Sequence, residues 1–191
     1  MRLEILNTGY SFGIKLLFGL VRKVTGRPVP DAGRIIFYRP DFYGKVRFTH
    51  EAMRGPSPWS IGDRELMAAF VSKRNECQWC VGAHTATTEI AYSDKGKVTA
   101  VLADLETAPI EEPLRATLRM LGKLTRAHAV TPDDMRAVLR AGVSPEQIKD
   151  ALAVSFAFNT INRLADAFGF EMLSPLGFEA GARYLLTRGY R

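Results

Sequence analysis

Four short stretches of this chain read as helix starts, and together they leave little room for a sheet. Ser60 stands three residues ahead of Asp63, and the runs Glu111–Glu112–Pro113, Thr131–Pro132–Asp133–Asp134 and Ser144–Pro145–Glu146 each set proline in a first turn beside acidic or hydroxyl side chains. A side-chain oxygen at such a position accepts from a helix N–H that has no partner within the helix. Proline has no N–H to orphan there, and carboxylates complement the positive end of the helix dipole. Behind Ser60, Leu66, Met67, Phe70 and Val71 recur at helical spacing and form an apolar stripe. A second helix is predicted from about Gln78 to Tyr92, stopping at the Ser93–Lys97 turn, and a last one begins near Pro175 to Glu179 and runs toward Arg191. The units TPDDMRAVLRAG and SPEQIKDALAVS resemble each other as helix starts but are too brief to form a repeat. No alternating strand pattern accompanies them, so the fold class is all-α.

The first 59 residues depart from this pattern. Prolines at 28, 30, 40, 56 and 58 make residues 28 to 59 read as a long irregular connection wrapping the body, with RIIFY at 34 to 38 as a possible short strand lacking a partner. Ahead of it, Phe12 to Val24 places Ile14, Leu17, Phe18 and Val21 at helical spacing. Lys15 interrupts the segment, it falls well short of the ~20 apolar residues of a membrane span, and no small-residue cleavage site follows it. An amphipathic helix buried against the chain's own body or in a homo-oligomer is therefore expected, rather than contact with a membrane surface. The organisation that results is a basic arm over residues 1–59 and a helical domain over residues 60–191, forming one structural domain. A chain of 191 residues with 47% apolar side chains buries an adequate core.

The net charge of +6 sits wholly in the first 50 residues, where nine Lys or Arg face Glu4, Asp31 and Asp41, while the rest of the chain balances 17 cations against 17 acids. A neutral body with a basic arm does not read as a nucleic-acid binder; the arm is either a solvated face or touches something acidic.

Both cysteines and one of the three histidines fall within RNECQWCVGAH, Arg74 to His84. At the start of a helix, exposed N–H groups and the dipole favour thiolate, so at least one cysteine is expected to be reactive. At ~100° per residue, Cys77, Cys80 and His84 share one helix face, which brings the imidazole near the second sulfur. A base beside a thiol makes a nucleophile, and a second thiol can resolve an oxidised intermediate as a disulfide. Other chemistries compete. Zinc could take two thiolates and His84 but needs a fourth ligand, and His50 and His128 have no supporting spacing. A thioredoxin-type site would need a βαβ pattern. On another face, Asn159, Asn162, Arg163 and Asp166 align at helical offsets as a buried structural network, a subunit contact or a pocket lining, and Trp79 either covers the thiol or packs.

Glu65, eleven intervening residues, and then C-x-x-C-x-x-x-H at Cys77, Cys80 and His84 resemble the alkylhydroperoxidase AhpD-like group of the carboxymuconolactone decarboxylase superfamily. The stretch Phe158 to Gly169, FNTINRLADAFG, is similar to a second-half helix of peroxidase-related members. The resemblance implies an all-helical, oligomeric, cytoplasmic thiol peroxidase with an antioxidant role. Cys80 would attack the peroxide, Cys77 would resolve it, and Glu65 with His84 would relay the proton. It implies no bound cofactor, a peroxide substrate and an external dithiol or lipoyl-type electron donor. Trp79 departs from those relatives that have histidine between the cysteines, and the decarboxylase branch lacks the cysteine pair. The alternatives are a non-enzymatic redox sensor or interaction protein using the same disulfide, and a Cys/Cys/His metal site.

Overall fold

A computed structural model describes residues 3–40 and 47–190. Eleven helices and no strand occur among the described residues: α1 Ile5–Thr8, α2 Phe12–Thr25, α3 Asp31–Tyr38, α4 Arg47–Arg54, α5 Ile61–Arg74, α6 Gln78–Tyr92, α7 Lys95–Ala103, α8 Glu112–Ala127, α9 Pro132–Arg140, α10 Pro145–Phe168 and α11 Pro175–Arg188. The all-α class follows, and the local start signals are the reason. Ser60, Thr131 and Ser144 each close a capping box, accepting from the N–H three residues on while that residue's side chain reaches back.

Two local expectations are corrected. RIIFY lies inside α3, not in a strand, because Pro30 at the cap and Asp31 in the first turn start a helix that the β-branched pair Ile35–Ile36 does not stop. The described residues of the connection over 28–59 carry α3 and α4. The turn at Ser93–Lys97 is half a turn and half a helix start: Ser93 ends α6 in the left-handed region, and the Asp94 carboxylate accepts from the N–H groups of Gly96 and Lys97 to open α7.

α5 is the central element. Its stripe of Leu66, Met67, Phe70 and Val71 is buried, and so are Arg64, Glu65, Ala68, Ala69 and Ser72 on its other sides. A helix buried almost all round requires neighbours on every face, and α4, α6, α8 and α10 supply them. Each large apolar side chain so placed contributes roughly 1.5–3 kcal/mol. The two charged exceptions, Arg64 and Glu65, must be partnered there or the helix would not pack. Arg64 donates to the carbonyls of Ala52 and Gly55, which ties α4 to α5.

The arm is bound to the far end of α10. The Leu3 N–H donates to the Phe168 carbonyl at 3.1 Å, and the Glu171 N–H donates to the Asp31 carboxylate at 2.9 Å. Within it, Phe18 meets Tyr10 and Phe37 edge-on and lies under the Arg34 guanidinium. The burial expected for α2 is only partial: Ile14, Phe18 and Val21 are half-buried, Leu17 is exposed, and Phe12 and Val24 are 84% and 76% exposed.

Two close approaches position the site. Only Asn75, Glu76 and Cys77 separate α5 from α6, and Glu76 takes φ 62°, the left-handed region that a non-glycine residue adopts at a cost. α11 lies on α6 where Gly82 has no side chain; a Cβ there would stand 2.8 Å from the Phe178 ring.

Candidate active site

Glu65 is fully buried in α5, and three groups from three other parts of the chain converge on it. His84 of α6 places Nδ1 2.7 Å from Oε2. Arg54, at the end of α4, donates from its guanidinium to Oε1 at 2.6 Å. Tyr190, beyond α11, donates its hydroxyl to Oε1 at 2.8 Å, with Oε2 at 3.1 Å. Arg64, next to Glu65 in sequence, supplies a further positive field. Gly189 makes the Tyr190 contact possible, because its φ of 70° turns the chain back and a Cβ there would meet the His50 ring at 2.6 Å. The Tyr190 N–H then donates to His50 Nδ1 at 3.3 Å.

Burial alone would raise the Glu65 pKa, but the hydrogen bond of His84, the charge that ring carries when protonated and the guanidinium of Arg54 outweigh it, and the carboxyl is held below its ordinary value. Tyr190 is pushed well above the usual phenol range, by burial first and then by the Glu65 charge. These directions set the hydrogen-bond roles. An ionised Glu65 only accepts, so the hydrogen between it and His84 belongs to His84 Nδ1, and Nε2 is left as the ring's basic nitrogen. The ring is held by Phe158, edge-on with centroids 4.3 Å apart, and by Tyr190, nearly parallel at 6.2 Å.

The cysteines sit at the other end of the same segment. Cys77 occupies the cap position of α6 and Cys80 its first turn, one turn before His84 on the same face. Both are free thiols, 0% and 1% exposed, in a cluster with Ala165 against which Trp79, Ile161 and Phe170 pack. Trp79 packs between Phe170 and Phe178, meeting both edge-on, so it covers the cysteines as well as packing. The expectation of a thiolate favoured by the helix start is corrected at Cys80. Its pKa is raised strongly, first by the hydrogen bond its thiol donates to Cys77, then by burial, and then by the charges of Cys77 and Asp166. Tertiary surroundings outweigh the dipole here. The structure therefore brings Glu65 and His84 into direct contact and places Cys77 beside Cys80, while no hydrogen bond joins His84 to Cys80 among the described residues.

The polar set on α10 divides by role. Asn159 accepts from the Asn75 amide and Asn162 from the Ser72 hydroxyl, both at 3.1 Å, so they anchor the end of α5 and the corner leading to Cys77. Arg163 donates back to the Asn159 carbonyl. Asp166 acts on Cys80 through its charge. Arg54 and Tyr190 are absent from the residues picked by sequence. The one available signal was indirect: a carboxylate predicted on a packed helix needs partners somewhere. Among the described residues no cluster of three or more His, Cys, Asp or Glu side chains could hold a metal ion. An open cleft of about 380 Å³ lies beside the corner, lined by Lys73, Arg74, Glu76, Gln78, Val81 and Arg126. No helix among the described residues is long and apolar enough to cross a membrane.

No protein-family model matches the sequence, and no curated protein is matched by it. Solved structures do match. An uncharacterized peroxidase-related protein from Silicibacter sp. TM1040 superposes with a TM-score of 0.77 at 22% identity, over 93% of this chain and 95% of its own. An alkylhydroperoxidase AhpD core, an uncharacterized peroxidase-related protein from Ralstonia eutropha JMP134, does so with a TM-score of 0.73 at 26% identity, over 91% of each chain. The debrominase Bmp8 in its apo form shares the fold at a TM-score of 0.62 and 15% identity, over 90% of this chain and 92% of that one. The chain therefore has the helical fold of these AhpD-like, peroxidase-related structures, shared with them nearly end to end.

Proposed function

We propose that the protein is a thiol-dependent peroxidase that reduces organic hydroperoxides through Cys80 and Cys77. The observation that carries this reading is the buried Glu65–His84 pair, joined at 2.7 Å one helical turn beyond a cysteine that has a second thiol beside it. His84, its hydrogen fixed on Nδ1, takes the Cys80 proton at Nε2 directly or through one water. The Cys80 thiolate attacks one peroxide oxygen; an S–O bond forms as the O–O bond breaks. The other oxygen leaves as alkoxide, receives the proton from the imidazolium and departs as alcohol, leaving Cys80 as sulfenic acid. Cys77 then attacks the Cys80 sulfur, giving the Cys77–Cys80 disulfide and releasing water. An external dithiol, of lipoyl type or similar, returns both thiols by exchange and is itself oxidised to a disulfide.

The raised Cys80 pKa fits this division of labour, because a thiol that does not ionise on its own needs a base at hand. The same observation also supports a second reading: two cysteines with almost no exposure suit a non-enzymatic redox sensor that oxidises once and then changes its contacts. Steady-state consumption of cumene hydroperoxide with dihydrolipoamide or dithiothreitol as donor separates the two. The enzyme turns over many equivalents per chain, whereas a sensor stops after one. The metal-site reading would still need a ligand beyond Cys77, Cys80 and His84. A homo-oligomer is part of the proposal, supported by the exposed apolar ridge of Phe12, Leu16, Leu20 and Val24 on α2.

A further inference from the structure

Tyr190 and Arg54 reach Glu65 from segments that share no other task at the site. Tyr190 lies 125 residues beyond Glu65 and Arg54 eleven residues before it, and each adds a hydrogen bond to a carboxylate that is entirely shielded from solvent. They also hold each other. The Arg54 guanidinium lies over the Tyr190 ring at 5.1 Å and donates to the Leu185 carbonyl in α11, the helix that delivers Tyr190. A carboxylate offers about four lone-pair positions. Oε1 serves Arg54 and the shorter Tyr190 bond, while Oε2 takes the longer Tyr190 bond and faces His84 Nδ1, which the Tyr190 hydroxyl also approaches at 3.4 Å. Were the outer positions empty, Glu65 could turn, or take up a proton and become a donor itself, and the imidazole would lose the partner that keeps its hydrogen on Nδ1.

We propose that Tyr190 and Arg54 are positioning residues: by filling the outer lone pairs of Glu65 they fix His84 as the Nδ1–H tautomer, which leaves Nε2 without a hydrogen. The role rests on the peroxidase reading only for its catalytic consequence. The tautomer itself is a property of the resting protein. The charged and titratable groups that face Glu65 are Arg54 from α4, His84 from α6, Tyr190 beyond α11 and, on its own helix, Arg64, which is itself balanced by Asp150 of α10.

Tyr190→Phe removes one hydroxyl and keeps the ring that stacks on His84. In the full chain labelled with ¹⁵N-histidine and ¹³C-carboxyl glutamate, the wild type should show His84 as a single Nδ1–H tautomer. Tyr190→Phe should show a mixture with the Nε2–H form and a Glu65 titration displaced to higher pH. Arg54→Lys, which keeps the charge, should fall between the wild type and Tyr190→Phe. The rate of sulfenic acid formation at Cys80 should drop about 10- to 100-fold in Tyr190→Phe, the usual worth of a partner that orients a functional histidine, with KM for peroxide unchanged. A merely structural role would lower the melting temperature and leave both spectra as they are. Wild-type ¹⁵N shifts and an unmoved Glu65 titration in Tyr190→Phe overturn the proposal. If the wild type consumes no peroxide yet the tautomer shifts, the positioning role stands and the peroxidase reading falls. An active peroxidase with unchanged spectra has the opposite meaning.

Discussion

The two ends of the site on α6 are built on opposite physics. Around His84 polar groups converge: Glu65 has three hydrogen-bonding partners, one of them a full cation, and its carboxylate is fully withdrawn from water. Around Cys80 the surroundings are apolar, made by Ala165, Trp79, Ile161 and Phe170, with only another thiol to bond to and an acid whose charge opposes ionisation. The first end stores an oriented base and needs no rearrangement to accept a proton. The second keeps the thiol protonated and covered, so that on the proposed reading it would react only where that base and a substrate are both in place.

Breaking the cysteine end should have the largest effect on chemistry and little on folding. Cys80→Ser should abolish turnover, whereas Cys77→Ser should stop after one sulfenic acid per chain, read by dimedone trapping and intact mass. Breaking the relay end should reverse the pattern. Glu65→Ala leaves Arg54 buried beside no carboxylate and should cost about 3–5 kcal/mol in urea unfolding, far more than Glu65→Gln.

A smaller test uses pH. The folded pKa of Glu65 is lowered, so its contribution to stability is fully present above the ordinary carboxylate value of about 4.3 and is lost as pH falls through the lower folded value. Cys80 and Tyr190 are raised, so their contributions are fully present below the ordinary thiol and phenol values of about 8.5 and about 10 and are lost as pH rises beyond them. Urea midpoints should therefore form a plateau between about pH 5 and pH 8. The acid limb should flatten in Glu65→Gln, and in Cys80→Ser the alkaline limb should begin only near the phenol value. The smallest expected change is at Asp166, outside the relay. Asp166→Asn removes one opposing charge and should speed iodoacetamide alkylation of Cys80 a few-fold at pH 8, with no effect on the His84 tautomer. Away from the site, deleting residues 1–27 should lower the mass of the assembly seen by light scattering, since it removes the exposed ridge of α2.

What could be read from the sequence was what is local. The capping boxes at Ser60, Thr131 and Ser144 involve residues three apart, so they announce their helices without help from the rest of the chain. Glu65 and His84 were legible because they lie on two successive helices joined by a short corner, and a motif records their spacing. Asp94 shows the limit of local reading: the same side chain that closes a turn also opens α7. RIIFY shows it again, with strand-forming side chains inside a helix set by the residues before them. The state of Cys80 could not be read locally, since its cover comes from α10 and from Phe170 beyond it, and burial by distant residues reverses what the helix start favours. Arg54 and Tyr190 were hidden for the same reason. A cation in a proline-rich stretch and a tyrosine beyond the last helix become parts of one site only when α4 and α11 are both docked beside α5 and α6.

The most direct test of this account is the rate at which Cys80 forms sulfenic acid in a Cys77→Ser background, with and without Glu65→Gln, from pH 6 to 9. A prepared base beside a silent thiol predicts a rate lower by about 10- to 10⁴-fold in Glu65→Gln across the neutral range, with the gap closing only as the pH approaches that at which Cys80 ionises unaided. Equal rates with and without the carboxylate over the whole range would contradict it, and would leave Glu65 and His84 as a structural pair that happens to lie beside the cysteines.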